Sequence, residues 1–130
     1  MKTHRSLIGL LTLLLSLGGT AAFAADPVAY TSAAFETAQK AGKPILVHVT
    51  APWCSTCAAQ KPILAKLEAE PRFKELKVFE VDFDSRKDVL RRFGATMQST
   101  LITYRGELET GRSSGETKPE AITALLEKAF

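Results

Sequence analysis

The sequence predicts an α/β fold: a central mixed β-sheet with helices on both faces. Residues 45–50, Ile-Leu-Val-His-Val-Thr, form a β-branched run with almost no polar interruption. Such a run suits a central strand buried on both sides. The segments follow the order helix, strand, helix, strand, helix, hairpin, helix, and strand–helix–strand followed by a hairpin mixes parallel with antiparallel pairing. A length of 130 residues, 45% hydrophobic and 24% charged, suits one domain of ordinary size and is too apolar for a disordered chain.

Each element has a local reason. Ser32 to Ala41 reads as a helix with Ala34, Phe35 and Ala38 as its apolar positions and Gly42 as its stop. A second helix runs from about Cys54 to Glu70, with Pro62 inside it as an expected kink. Val78 to Phe83 is the next strand. Ser85-x-x-Asp88 then resembles a capping box opening a helix that ends at Phe93 before Gly94. Residues 100–104 and 108–113 form a hairpin around Arg105-Gly106-Glu107. Thr117-x-x-Glu120 reads as a capping box for the last helix, which sets Ile122, Leu125, Leu126 and Phe130 on one face. A short leading strand is expected near Val28.

Residues 1–24 read as an export signal. Lys2, His4 and Arg5 precede a charge-free stretch from Ser6 to Ala25, and Ala22-Phe23-Ala24 fits a small-x-small cleavage site. Cleavage after Ala24 leaves a single domain, residues 25–130. An uncleaved membrane anchor is the alternative. A span needs about 20 apolar residues, and Gly18, Gly19 and Thr20 weaken the far end of this one. Export implies a periplasmic, oxidising setting. The basic pI of about 9.0 then loses its meaning as a nucleic-acid signal. Removing Lys2 and Arg5 from the 17 basic residues leaves 15 against 14 acids, so no nucleic-acid partner is expected.

The chemistry gathers in Trp53-Cys54-Ser55-Thr56-Cys57, which holds both cysteines of the chain. After a buried strand and at a helix start, the first cysteine meets unpaired N–H groups and the positive end of the helix dipole. Both favour its thiolate. The second lies one turn along, close enough to attack a mixed disulfide formed by the first, which suits reversible thiol–disulfide exchange. A purely structural disulfide closing so short a loop removes little chain entropy. Covalent haem attachment needs a histidine after the second cysteine, where Ala58 stands. A Cu(I)-type metallochaperone remains as the alternative, with only His48 and carboxylates to add to the two thiolates.

From Val28 to Phe130 the chain resembles the thioredoxin family. Trp53-Cys54-x-x-Cys57 resembles the family's active-site motif, and Pro62 its helix-kinking proline. Thr100-Leu101 with Tyr104-x-Gly106 resembles the strand and turn after its substrate loop, and Gly115 the glycine that keeps the adjacent surface low. The resemblance implies a thioredoxin fold and a protein-disulfide reductase that needs no cofactor and no metal. It also implies that Cys54 is the exposed nucleophile and Cys57 the buried resolving thiol. Trp53, Ser99, Thr100 and Gly115 would contact the partner. Partners would be cysteine-containing proteins, the direction reducing, the electron donor membrane-borne, and the protein a monomer.

Three departures from the family pattern carry expectations of their own. His48 stands where the family has a buried aspartate, and Glu80 where its lysine partner belongs. His48, oriented by Glu80, is therefore expected to take the proton from Cys57 near neutral pH. Ser99 stands where the family has a cis proline. A cis bond costs about 2.5–4 kcal/mol before other residues, so a trans peptide and a reshaped loop are expected. Ser99 also regains a backbone donor that proline lacks. Ser55 and Thr56 replace glycine–proline, and a hydroxyl bonded to the thiolate would make the disulfide more oxidising.

Overall fold

A computed structural model describes residues 26–130. The export segment, its cleavage site and the alternative anchor lie outside these residues. The order is β1 (Val28–Ala29), α1 (Ser32–Lys40), β2 (Pro44–Thr50), α2 (Ser55–Glu68), a 3-10 turn (Pro71–Phe73), β3 (Lys77–Asp82), α3 (Lys87–Phe93), β4 (Thr100–Arg105), β5 (Leu108–Ser114) and α4 (Pro119–Glu127). The five strands lie β1-β3-β2-β4-β5. β3 pairs in parallel with β1 and β2, whereas β4 pairs antiparallel with β2 and β5. The mixed sheet is thus present. Among the described residues no helix is long and apolar enough to cross a membrane.

β2 occupies the centre, and its alternation separates the two cores. Ile45, Val47 and Val49 join the aromatic core with α1 and α3. There the Phe35 ring lies 5.2–5.6 Å from those of Tyr30, Phe79, Phe93 and Tyr104. Leu46 enters the second core, with Leu64 and Leu67 of α2 and Ile122 and Leu126 of α4. His48 follows Leu46 by two positions and so faces α2.

Two helix starts depart from the sequence reading. Thr31 caps α1 by accepting the Ala34 N–H at 3.2 Å, and Gly94 ends α3 at φ +60°. The Ser85-x-x-Asp88 box, however, does not form. Asp82 Oδ1 accepts from the backbone N–H of Asp84 and from both the backbone and hydroxyl of Ser85, and α3 starts only at Lys87. Thr117 does not cap α4 either, because Glu116 Oε1 takes the N–H groups of Thr117 and Lys118 and Pro119 opens the helix. In each case a carboxylate just upstream reaches the free donors first. α2 runs unbroken through Pro62 and stops at Glu68. Phe130 leaves the expected buried face and rests on Phe73, while Ala129 is buried.

Candidate active site

The end of β2 delivers both cysteines. After Thr50 the chain turns, with Cys54 N–H donating to the Ala51 carbonyl at 3.2 Å. Cys54 is then the N-cap of α2 at φ −85°, ψ 106°. Its sulfur takes the role a serine or aspartate oxygen usually fills, accepting the Cys57 N–H at 3.0 Å. The Cα atoms are 5.3 Å apart and the two sulfurs form a disulfide. Cys54 is 5% exposed and Cys57 1%, so the first cysteine is the more accessible but is less open than an exposed nucleophile. On reduction, the Cys57 N–H and the helix dipole both favour a thiolate at Cys54. Neither the Ser55 nor the Thr56 hydroxyl bonds to sulfur in this oxidised form.

Trp53 is 60% exposed beside the disulfide. Its indole N–H donates to Asp84 Oδ2 at 2.8 Å and its ring stands edge-on to Phe83. The loop after β3 therefore fixes the tryptophan.

Across from the cysteines, the Gln98–Ser99 peptide is trans, and Ser99 sits at φ +58°. Such a backbone costs a non-glycine residue about 1 kcal/mol or more. The donor that serine restores is used inward: Ser99 N–H bonds to the Val49 carbonyl at 2.8 Å. That same carbonyl lies 3.9 Å from Cys57 Sγ. The Ser99 carbonyl accepts from Gly115 N–H at 3.0 Å. Thr100 Oγ1 meets Met97 O and Ser114 Oγ, each at 2.8 Å, so the threonine side chain is committed to the loop itself. Gly115 stands at φ +75°, where glycine carries no side-chain penalty. Met97 is the half-exposed apolar residue of this loop.

His48 lies beneath, fully buried. It is register partner to Glu80, as the paired departures suggest, yet its ring bonds elsewhere: Nε2 meets Gln60 Oε1 at 3.0 Å. Gln60 gives its amide N–H groups to the carbonyls of Ser99 and Glu116 at 3.1 and 2.9 Å, which makes Oε1 the acceptor and Nε2 the protonated nitrogen. Glu80 instead approaches Lys61 Nζ at 3.9 Å. The expected His48–Glu80 pair is thus a neighbourhood on one face, and an uncharged amide is the histidine's actual partner. Burial pushes the His48 pKa below its ordinary value, outweighing the opposing effects of Gln60 and Glu80. The ring is neutral at pH 7.

Beside His48 a cavity of about 210 Å³ is lined by Asp26, Lys61, Leu64, Glu68, Val78 and Glu80 among others. Glu68 is 7% exposed, and burial, with the charges of Glu80 and Asp26, pushes its pKa up to about 7. Sequence reasoning missed both Gln60 and Glu68. Their signal is phase: Cys57, Gln60, Leu64, Leu67 and Glu68 share the buried stripe of α2.

The family model for thioredoxin matches residues 26–128. The chain belongs to the thioredoxin family. A crystal structure of Trxlp from Edwardsiella tarda EIB202 is similar, with 44% identity and a TM-score of 0.76 over 78% of this chain and 98% of that one. Thioredoxin from Alicyclobacillus acidocaldarius is 29% identical over 96 residues, 74% of this chain and 90% of its own length. A protein disulfide-isomerase from Humicola insolens is 27% identical over 98% of this chain, which spans only 24% of that relative. The fold is the thioredoxin fold, and the chain is a thiol–disulfide oxidoreductase with Cys54 and Cys57 as its CxxC pair. The metal-carrier alternative gains no support: among the described residues no group of three His, Cys, Asp or Glu is placed to hold an ion.

Two stability predictions follow from this geometry. Proline cannot adopt φ +58° and cannot donate to Val49, so Ser99→Pro, although it restores the family residue, should destabilise by about 3 kcal/mol. An unchanged urea midpoint would show that the loop is not held in this way. Glu68 binds its proton more tightly folded than unfolded between its ordinary pKa of 4.5 and about 7, so its contribution to stability falls as pH rises through that window. The depressed His48 acts in the opposite sense, costing stability as pH drops below 6.5. Glu68→Gln removes the first effect alone. Its advantage over the parent should grow by about 1–3 kcal/mol between pH 5 and pH 8 in urea unfolding, and a constant difference would refute the assignment.

Proposed function

We propose that this thiol–disulfide oxidoreductase is exported and works as a periplasmic reductase of cysteine-containing proteins. The Cys54–Cys57 pair at the start of α2, with Cys57 N–H on Cys54 Sγ, carries the chemistry. The Cys54 thiolate attacks one sulfur of a partner disulfide; that S–S bond breaks, and the other sulfur leaves as a thiolate. Cys57, once deprotonated, attacks Cys54 Sγ and releases the second partner sulfur. The partner gains two electrons and the Cys54–Cys57 disulfide reforms. Renewing the dithiol requires a membrane-borne dithiol donor. Trp53 and the loop surface built on Ser99, Thr100 and Gly115 would lie against the partner's backbone.

Export is supported by the basic start, the apolar stretch and the Ala22-Phe23-Ala24 site. The reducing direction is supported by the likeness to thioredoxins and by a described region that is one compact domain. Periplasmic extracts treated with Cys57→Ala should yield partner proteins held through Cys54, released by dithiothreitol, and the parent should accelerate insulin reduction by dithiothreitol. No acceleration, with no trapped protein, would overturn the reading.

His48 serves as the base for Cys57 in this reading. Burial keeps it neutral near pH 7, as a base must be, and Gln60 rather than Glu80 fixes its ring. His48→Ala should flatten the pH–rate profile of disulfide reduction between pH 5 and 8. An identical profile would reject the role.

A further inference from the structure

Gln60 is fully buried, on a helix stripe whose neighbours Leu64 and Leu67 are apolar. Its amide touches three separate parts of the chain: the His48 ring on β2, the Ser99 carbonyl before β4, and the Glu116 carbonyl after β5. The helix stripe does not require this, since an apolar side chain would fill it. Nor does the Ser99 carbonyl need a partner, because Gly115 N–H already supplies one. The second bond fixes the direction of that carbonyl rather than merely satisfying it. Ser99 sits in a strained conformation, which persists only where its surroundings over-determine it, and Gln60 supplies one of those constraints.

We propose that Gln60 is a positioning residue for the exchange reaction: it holds the Ser99 loop, against which a partner's backbone would lie, in fixed relation to His48. The proposal rests on the reading that partners dock at this loop. The two ends of the amide do different work. Oε1 accepts from His48 and favours its protonated form, whereas the N–H groups hold the two carbonyls that shape the docking surface. The ends are separable by substitution. Gln60→Met removes both and keeps the length. Gln60→Glu keeps an acceptor for His48 but offers no donor to Ser99 or Glu116.

Steady-state reduction of insulin, with dithiothreitol as donor, tests this alongside single-turnover reduction of the small disulfide dithionitrobenzoate by the pre-reduced protein freed of dithiothreitol. Both variants should raise KM for insulin about tenfold with a much smaller change in kcat. The loss on dithionitrobenzoate, which has no backbone to dock, should be at least fivefold smaller. His48 titration followed by NMR should move down in Gln60→Met and up in Gln60→Glu. Equal losses on both disulfides, an unchanged insulin KM, or a His48 titration indifferent to both variants would overturn the proposal. If only Gln60→Glu folds, its KM and titration decide alone. If neither folds, Gln60 serves the core rather than the reaction, and the proposal also fails. A parent protein that reduces dithionitrobenzoate but not insulin would instead remove the docking reading itself, whereas loss of the Gln60 effect alone leaves that reading standing.

Discussion

A strand hydrogen-bonded on both edges and covered on both faces leaves a polar side chain in its middle no access to water, and β2 imposes that constraint on everything around it. Its odd-numbered side chains, Ile45, Val47 and Val49, anchor the aromatic core; its even-numbered ones, Leu46 and His48, face α2. His48 must therefore find its partner inside the protein, and the helix carrying the cysteines supplies it through Gln60. The Val49 carbonyl takes the Ser99 N–H and lies beside Cys57 Sγ. Both walls of the active site are thus referenced to the last residues of one strand.

The same burial explains the electrostatics behind the cysteines. Burial disfavours charge on a histidine whose partner is a neutral amide, because that hydrogen bond and the charge of Glu80 do not offset the desolvation of a cation. A carboxylate on the same helix, two turns further on, is pushed toward its protonated form for the same reason. Glu80 and Lys61 sit closer to solvent and can keep their charges facing one another. Beneath the disulfide, burial therefore disfavours charge on His48 and Glu68, while the Glu80–Lys61 ion pair lies toward solvent.

Most of the fold was legible because it rests on apolar patterning and turn residues. The nearly continuous apolar run of β2, the glycine stops and the hairpin turn each pointed to one element. The starts of α3 and α4 were not, because capping-box spacing records only what lies downstream of a candidate cap. Asp82 and Glu116, one to three residues upstream of the donors they take, won the competition. The cysteines were legible from spacing and context. His48 was legible as a departure, but its partner was not: being opposite Glu80 in parallel register places two residues on one face without deciding where a ring reaches. Gln60 could have been found, since a polar residue three positions after Cys57 interrupts a buried helical stripe.

The bond between the Trp53 indole and Asp84 has an optical consequence. This is the chain's single tryptophan, half-open to solvent and next to the disulfide. Any indole emission from the protein therefore originates at the surface a partner would cover. Changes in sulfur oxidation state, or in the contact with Asp84, act on that one emitter without dilution from the core. The protein carries a built-in, label-free spectroscopic probe at the place where its chemistry happens.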